Sequence, residues 1–237
     1  MRYCGIAVGQ GYAQLCVLEE MRTAEPPVRL AAVFFEPGTV GAVAAQVHQL
    51  ADVVVAIAGA MTLPSGGRPE RRCDEALARR GVRPNPQLES ARRLFEDLAD
   101  MGLYRPNSAE VEGPVHEGAF RRAAVFETNA DAVFYALRGR RLPARRHPVG
   151  MRLRIDELVA DQVLDESGDL WNRRVEEIDA TAAALCAHRY AVGHASWIGD
   201  PAEGVVVLPG ARIAAHFTTQ GVLPPVERVR LPEALQP

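Results

Sequence analysis

Lysine is absent from all 237 residues, so every fixed side-chain cation is one of the arginines. That excludes Schiff-base chemistry on a lysine and the lysine of a phosphate-binding loop. It leaves planar guanidinium groups, suited to bidentate contact with carboxylate or phosphate. A GC-rich coding sequence produces the same usage without selection for a ligand. Cysteine is scarce, and none of Cys4, Cys16, Cys73 and Cys186 pairs at the spacing of a zinc or redox motif. Long apolar runs are missing too. Nothing approaches the ~20 residues needed to span a bilayer, and Met1-Arg2-Tyr3-Cys4-Gly5 carries no apolar leader. The expectation is a cytoplasmic chain with reduced thiols and no membrane partner. There is no excess of basic charge either. The net charge of −3 excludes a general nucleic-acid coat, though not a local basic groove.

What is present is the balance of a globular protein with a core, 48% hydrophobic and 24% charged. Residues 2–9 and 13–20 are apolar runs around Gly9-Gln10-Gly11, which reads as a hairpin. Residues 28–35 give a third strand. Thr39 caps a helix through Leu50. The β-branched run 52–58 suits a strand buried on both faces. From Gly59 to Pro86 the chain reads as one long polar loop. An amphipathic helix covers 88–101, a strand covers 122–127, and a helix over 130–138 closes at Gly139. Helices over roughly 150–164 and 172–194 follow. A short strand over 204–209 is expected to return to the sheet edge. Residues 1–210 read as one domain and 211–237 as a partly ordered C-terminal extension. The predicted sheet is mixed, an antiparallel meander plus parallel strands, with helices on both faces.

Several motifs occur in order along this layout. They are Gly5-Ile6-Ala7, Ala56-Ile57-Ala58-Gly59 with Leu63-Pro64, and Arg71-Arg72-Cys73-Asp74 with Gly81-Val82-Arg83. Phe126-Glu127-Thr128 and Ile178-Asp179-Ala180 complete the set. Together they resemble a predicted-nuclease family, a domain of unknown function, of the ribonuclease H-like fold. The likeness spans roughly residues 2–209. It implies a ribonuclease H-like sheet and a metal-dependent phosphodiesterase. Such an enzyme uses acids from different strands and a helix to hold two Mg²⁺ or Mn²⁺ ions.

The resemblance assigns Glu127, at a strand end facing the first strand, and Asp179, on the last long helix, as catalytic and metal-binding acids. Ala7 and Ala58 stand where the resemblance expects two more. A methyl group ligates nothing, so the site is degenerate, metal binding is expected to be weak, and hydrolysis weak or absent. Asp74, Glu176 and Glu177 are the acids that could approach from a loop or helix, and they are not expected to take over the missing roles. Independently of the resemblance, Asp179 also reads as a helix-surface acid paired with Arg173 or Arg174. Residues 138–154 are the densest positive stretch. Arg140, Arg141, Arg145 and Arg146 are expected to contact the phosphates of RNA or DNA, or to form a solvated loop. Cys73 beside Asp74 reads as a packing cysteine, and His116-Glu117 as a solvent-facing loop. Three functions compete: a family member with degraded hydrolysis, a non-catalytic binder of nucleic acid, nucleotide or protein, and an active hydrolase with rearranged acids.

Overall fold

The computed structural model describes residues 1–24, 28–102, 124–165, 168–200, 202–210 and 213. His116-Glu117, the start of the strand expected at 122 and almost all of the extension from 211 lie outside them.

The apolar runs pair as the hairpin reading requires. Strand β1 (Arg2–Val8) lies antiparallel to β2 (Ala13–Arg22), and β2 antiparallel to β3 (Val28–Phe34). Helix α1 (Val40–His48) follows, with the Thr39 hydroxyl accepting from the Ala42 N–H at 3.3 Å. It returns the chain to β4 (Val53–Ala58), which lies parallel to β1. Further on, β5 (Ala124–Thr128) lies parallel to β4. The order β3-β2-β1-β4-β5, a meander followed by two parallel strands, is the ribonuclease H-like arrangement that the resemblance implies.

The long segment after β4 is not all loop. Helix α2 (Arg72–Arg79) sits inside it, burying Cys73 and Leu77 at helical spacing over a segment too short to stand out among the surrounding Gly, Pro and Arg. Helix α3 (Glu89–Asp100) buries Ala91, Leu94, Phe95 and Leu98 as the amphipathic pattern predicts. Helix α4 (Ala130–Arg138) is capped by Asn129, whose side chain accepts from the Ala132 N–H at 2.9 Å, and ends at Gly139 in the left-handed conformation. Helix α5 (Pro148–Ala160) is shorter than expected. Its last predicted residues turn at Gln162 into β6 (Val163–Asp165), which extends the sheet beside β3. A 3₁₀ turn (Leu170–Asn172) leads into helix α6 (Val175–Ala191).

The end of the sheet needs a second correction. The strand β8 (Gly204–Pro209) does not join it. It pairs with β7 (Ala195–Asp200) in a separate antiparallel ribbon, and β7 uses residues adjoining those expected to end the last helix.

Both sheet faces are covered. Val43, Val47, Leu94 and Phe95 of α1 and α3 pack on Ile6, Val55 and Ile57. On the other face α6 is buried almost all round, against Ala7, Ala56 and Phe126 below and Val133, Phe134 and Ile155 beside it. Its small residues let it descend onto β1. A Cβ placed on Gly5 would lie 2.0 Å from the Ala180 carbonyl oxygen and 2.1 Å from the Ala184 nitrogen. Gly5 therefore fixes how closely helix and sheet approach.

Candidate functional site

The C-terminal ends of β1, β4 and β5 lie side by side, and there the expected acids are to be sought. Ala7 is the register partner of Ala58, and Ala58 of Thr128. Alternation along a strand puts these three on the α6 face. Glu127 is one residue off that phase. It pairs with Ile57 and shares the parity of Val125, on the face covered by α1 and α3. Glu127 also does not face the first strand, because β4 lies between β5 and β1.

Glu127 is fully buried, and four N–H donors meet its carboxylate. Arg71 supplies two, Nη1 to Oε2 at 2.7 Å and Nη2 to Oε1 at 2.8 Å. The Met61 amide donates to Oε2 at 2.8 Å, and Asn85 Nδ2 to Oε1 at 3.0 Å. A carboxylate offers about four lone-pair directions, so these donors saturate it. Arg71 has no exposed surface and grips a second acid. Its Nε and Nη2 donate to the two oxygens of Asp74, each at 2.8 Å. Gln87 adds a donor to Asp74 at 3.1 Å. One guanidinium thus serves two buried carboxylates, and neutral amides offset the remaining negative charge. Burial alone would lower the Arg71 guanidinium, but its bonds to Glu127 and Asp74 prevail and hold it above the ordinary arginine value. Cys73 is buried alongside, and burial pushes its thiol up to about 12, the behaviour of a packing cysteine and not of a nucleophile.

The ribbon pins the loop that carries Arg71. Glu203 accepts from the Arg72 amide at 2.7 Å and the Ser65 amide at 3.1 Å, and Thr62 donates to the Glu203 carbonyl at 2.7 Å.

Asp179 projects from α6 into a different cluster. Its partner is neither Arg173 nor Arg174 but Arg145, which donates to Oδ2. Oδ1 is buried and has no hydrogen-bond partner among the described residues. Burial pushes Asp179 up to about 6. The Arg145 charge opposes that rise and the nearby Asp131 charge adds to it. Arg154 holds Asp131 at 2.6 Å.

The basic stretch divides. Arg145 is spent on Asp179, and Arg146 lies 3.2 Å from Glu176 with three-quarters of its side chain exposed. Arg140 and Arg141 are exposed, and no acid among the described residues pairs with either. Arg72 reaches Asp200 on the ribbon.

These residues do not fit a two-metal centre. Glu127 has no lone pair left, Ala7 and Ala58 have none to give, and Asp179 offers one oxygen. The acids nearest to a replacement role are engaged too: Asp74 by Arg71, Glu176 by Arg146, and Glu177 by Arg173 and Arg174. Among the described residues, no group of three or more His, Cys, Asp or Glu could hold a metal ion.

Sequence reasoning missed Asn85, Gln87, Asp131 and Arg154. A usable signal existed for Asn85: it stands between Pro84 and Pro86, which fix the backbone around it. Asp131 had only its place in the first turn of α4.

No family model matches the chain. No curated protein matches it. Among solved structures it is similar to one described as "Thermus thermophilus RuvC structure", with 15% identity and a TM-score of 0.43, over 81% of this chain and 95% of that one.

Proposed function

We propose that this chain is a ribonuclease H-like protein whose metal-dependent phosphodiester hydrolysis is weakened or lost, and that it binds RNA, DNA or a nucleotide without cutting it. The observation that carries the reading is the saturation of Glu127 by Arg71, Asn85 and the Met61 amide. A divalent ion would have to expel a buried guanidinium to reach that carboxylate, leaving Asp74 uncompensated as well. The paired methyl groups of Ala7 and Ala58 support the same reading. Arg140 and Arg141, exposed and unclaimed by acids among the described residues, support phosphate contact.

The test is direct. Labelled single-stranded and duplex RNA and DNA are incubated with purified protein in Mg²⁺ or Mn²⁺, and retention is measured in parallel. The expected result is retention that falls with salt, with no product above the buffer control. Robust cleavage that disappears in a folded Glu127→Ala or Asp179→Ala variant would overturn the reading and favour an active hydrolase with rearranged acids. Retention insensitive to salt would count against phosphate contact.

A further inference from the structure

Two open cavities adjoin at the turn between β1 and β2, and neither is lined by Glu127 or Asp179. The first, about 710 Å³, is walled by Gln10, Gly11, Thr39, Gly41, Ser90 and Arg93. The second, about 600 Å³, shares Gly11 and Thr39 and adds Tyr12, Gln14, Arg174 and Glu176. Each has the size of a small-molecule site, ~300–1,000 Å³. Tyr12 presents an aromatic ring left 39% exposed. The ring rests on bare backbone, because a Cβ built on Gly9 would lie 2.5 Å from its Cζ. Gln14 is buried and donates Nε2 to the Phe35 carbonyl at 2.6 Å and the Leu15 carbonyl at 3.1 Å. Its Oε1 accepts from Arg174 Nη2 at 3.4 Å, which holds a guanidinium 59% exposed at the wall of the second cavity. The acids at the rims are answered from outside, Glu89 by Arg92 and Glu176 by Arg146. Arg93 is exposed and pairs with no acid among the described residues. Across the register from Gln14 stands Ala7. A carboxylate there would repel an anion, and a methyl group does not.

We propose that the joined cavities take one nucleotide unit, its base stacked on Tyr12 and its phosphate against Arg93. A fixed aromatic face beside a cation is how proteins hold single-stranded nucleic acid without reading its sequence. Arg174 adds a planar guanidinium on the base side. Gly11 and Gly41 keep the floor open, since a Cβ on either would meet nothing within 4 Å. A free nucleoside monophosphate and a residue within a single strand share this chemistry. The site rests on the reading that the chain binds a nucleotide or nucleic acid without cutting it, and it lies apart from the loop of Arg140 and Arg141.

The full chain is titrated calorimetrically with AMP, adenosine, inorganic phosphate and a short single-stranded oligoadenylate. AMP is expected to bind about tenfold more tightly than adenosine or phosphate, since it alone engages both cavities. Oligoadenylate binding more tightly than AMP names a strand as the source, the reverse order names a free nucleotide, and either supports the site. Tyr12→Leu should weaken both ligands by about tenfold, the loss of one stacked base. Arg93→Gln should reduce the salt slope of oligoadenylate binding by about one. Gly41→Trp should fill the first cavity and abolish binding. Gly41 lies in the first turn of α1 and has no positive φ, so this variant should melt at or above the wild-type Tm. Folded variants that all bind AMP and oligoadenylate as wild type does overturn the proposal, as does phosphate that binds as tightly as AMP. Failure of the parent reading appears in the wild-type protein itself, as cleavage of the oligoadenylate or no retention of it.

Discussion

Ala7 and Ala58 are direct partners across the parallel pair β1 and β4, two methyl groups side by side at the strand ends below α6. Replacing both with aspartate puts two like charges side by side at these strand ends. In EDTA the double variant is expected to lose about 1–3 kcal/mol per site, the cost of a poorly compensated buried polar group. Mn²⁺ should return part of it. Thermal melts with and without the ion decide this, and a loss that Mn²⁺ leaves untouched would show that the pair does not mark a cation position.

Arg71 answers two buried carboxylates, so its removal strands both. Arg71→Met is expected to cost about 3–5 kcal/mol in urea denaturation. Arg71→Lys should also be destabilising, since an ammonium cannot present two parallel N–H pairs. Removing the charges together, Arg71→Met with Asp74→Leu and Glu127→Leu, should be markedly better tolerated than Arg71→Met alone. Equal losses in the two variants would mean that packing, not charge, sets the penalty.

Gly5 lies under α6 with no room for a methyl group. Both close neighbours are backbone atoms and cannot rotate aside. Gly5→Ala should therefore cost about 3 kcal/mol or more by overpacking. Unfolding midpoints within experimental error of wild type would contradict the closeness of this contact.

The ionisation of Asp179 gives stability a pH dependence of defined sign. Burial raises the group from its ordinary 3.8 to about 6, so between these limits the folded chain binds more protons than the unfolded one. Stability from this group is complete below about pH 4 and is lost as pH rises toward 6, by on the order of 3 kcal/mol. Glu20 acts oppositely. A hydrogen bond from His188 lowers it to about 2, so its contribution is present above pH 4.5 and fades as pH falls. Denaturant unfolding from pH 4 to 7, compared between wild type and Asp179→Asn, isolates the first effect. Parallel profiles would refute it.

Arg140 and Arg141 are the exposed cations of the α4–α5 loop that no described acid claims. Alanine at either should weaken oligonucleotide retention across sequences and reduce the salt slope by about one per arginine. An unchanged slope would move the phosphate contacts elsewhere.

The sheet was legible because strands announce themselves locally. The turn at Gly9-Gln10-Gly11, the β-branched run before Ala58, and Thr39 and Gly139 at helix ends each carry their own physical signal. Helix α2 did not. Cys73, Ala76 and Leu77 do recur at helical spacing, but over a single short segment in a stretch rich in Gly, Pro and Arg, and a buried charge pair, Arg71 and Asp74, starts the helix. The ribbon was misassigned because Val205 to Leu208 reads the same whether it joins a sheet or pairs with a neighbour. The resemblance picked out Arg71 and Asp74 in one motif and Glu127 in another. That the Arg71 guanidinium joins the two acids was beyond reach, since side-chain partners 56 positions apart leave no periodic trace. The phase of Glu127 was readable in principle, one residue out of step with Ala58 across the register.

The clasp between Glu203 and the Ser65 to Arg72 segment closes over separations of 138 and 131 residues. During synthesis, the segment that presents Arg71 must therefore wait for most of the remaining chain to emerge before its last fasteners arrive. A nascent chain stopped before residue 203 would hold Arg71 through Asp74 and Glu127 alone, and a protease probing such intermediates should cut between Ser65 and Arg72 more readily than in the complete chain.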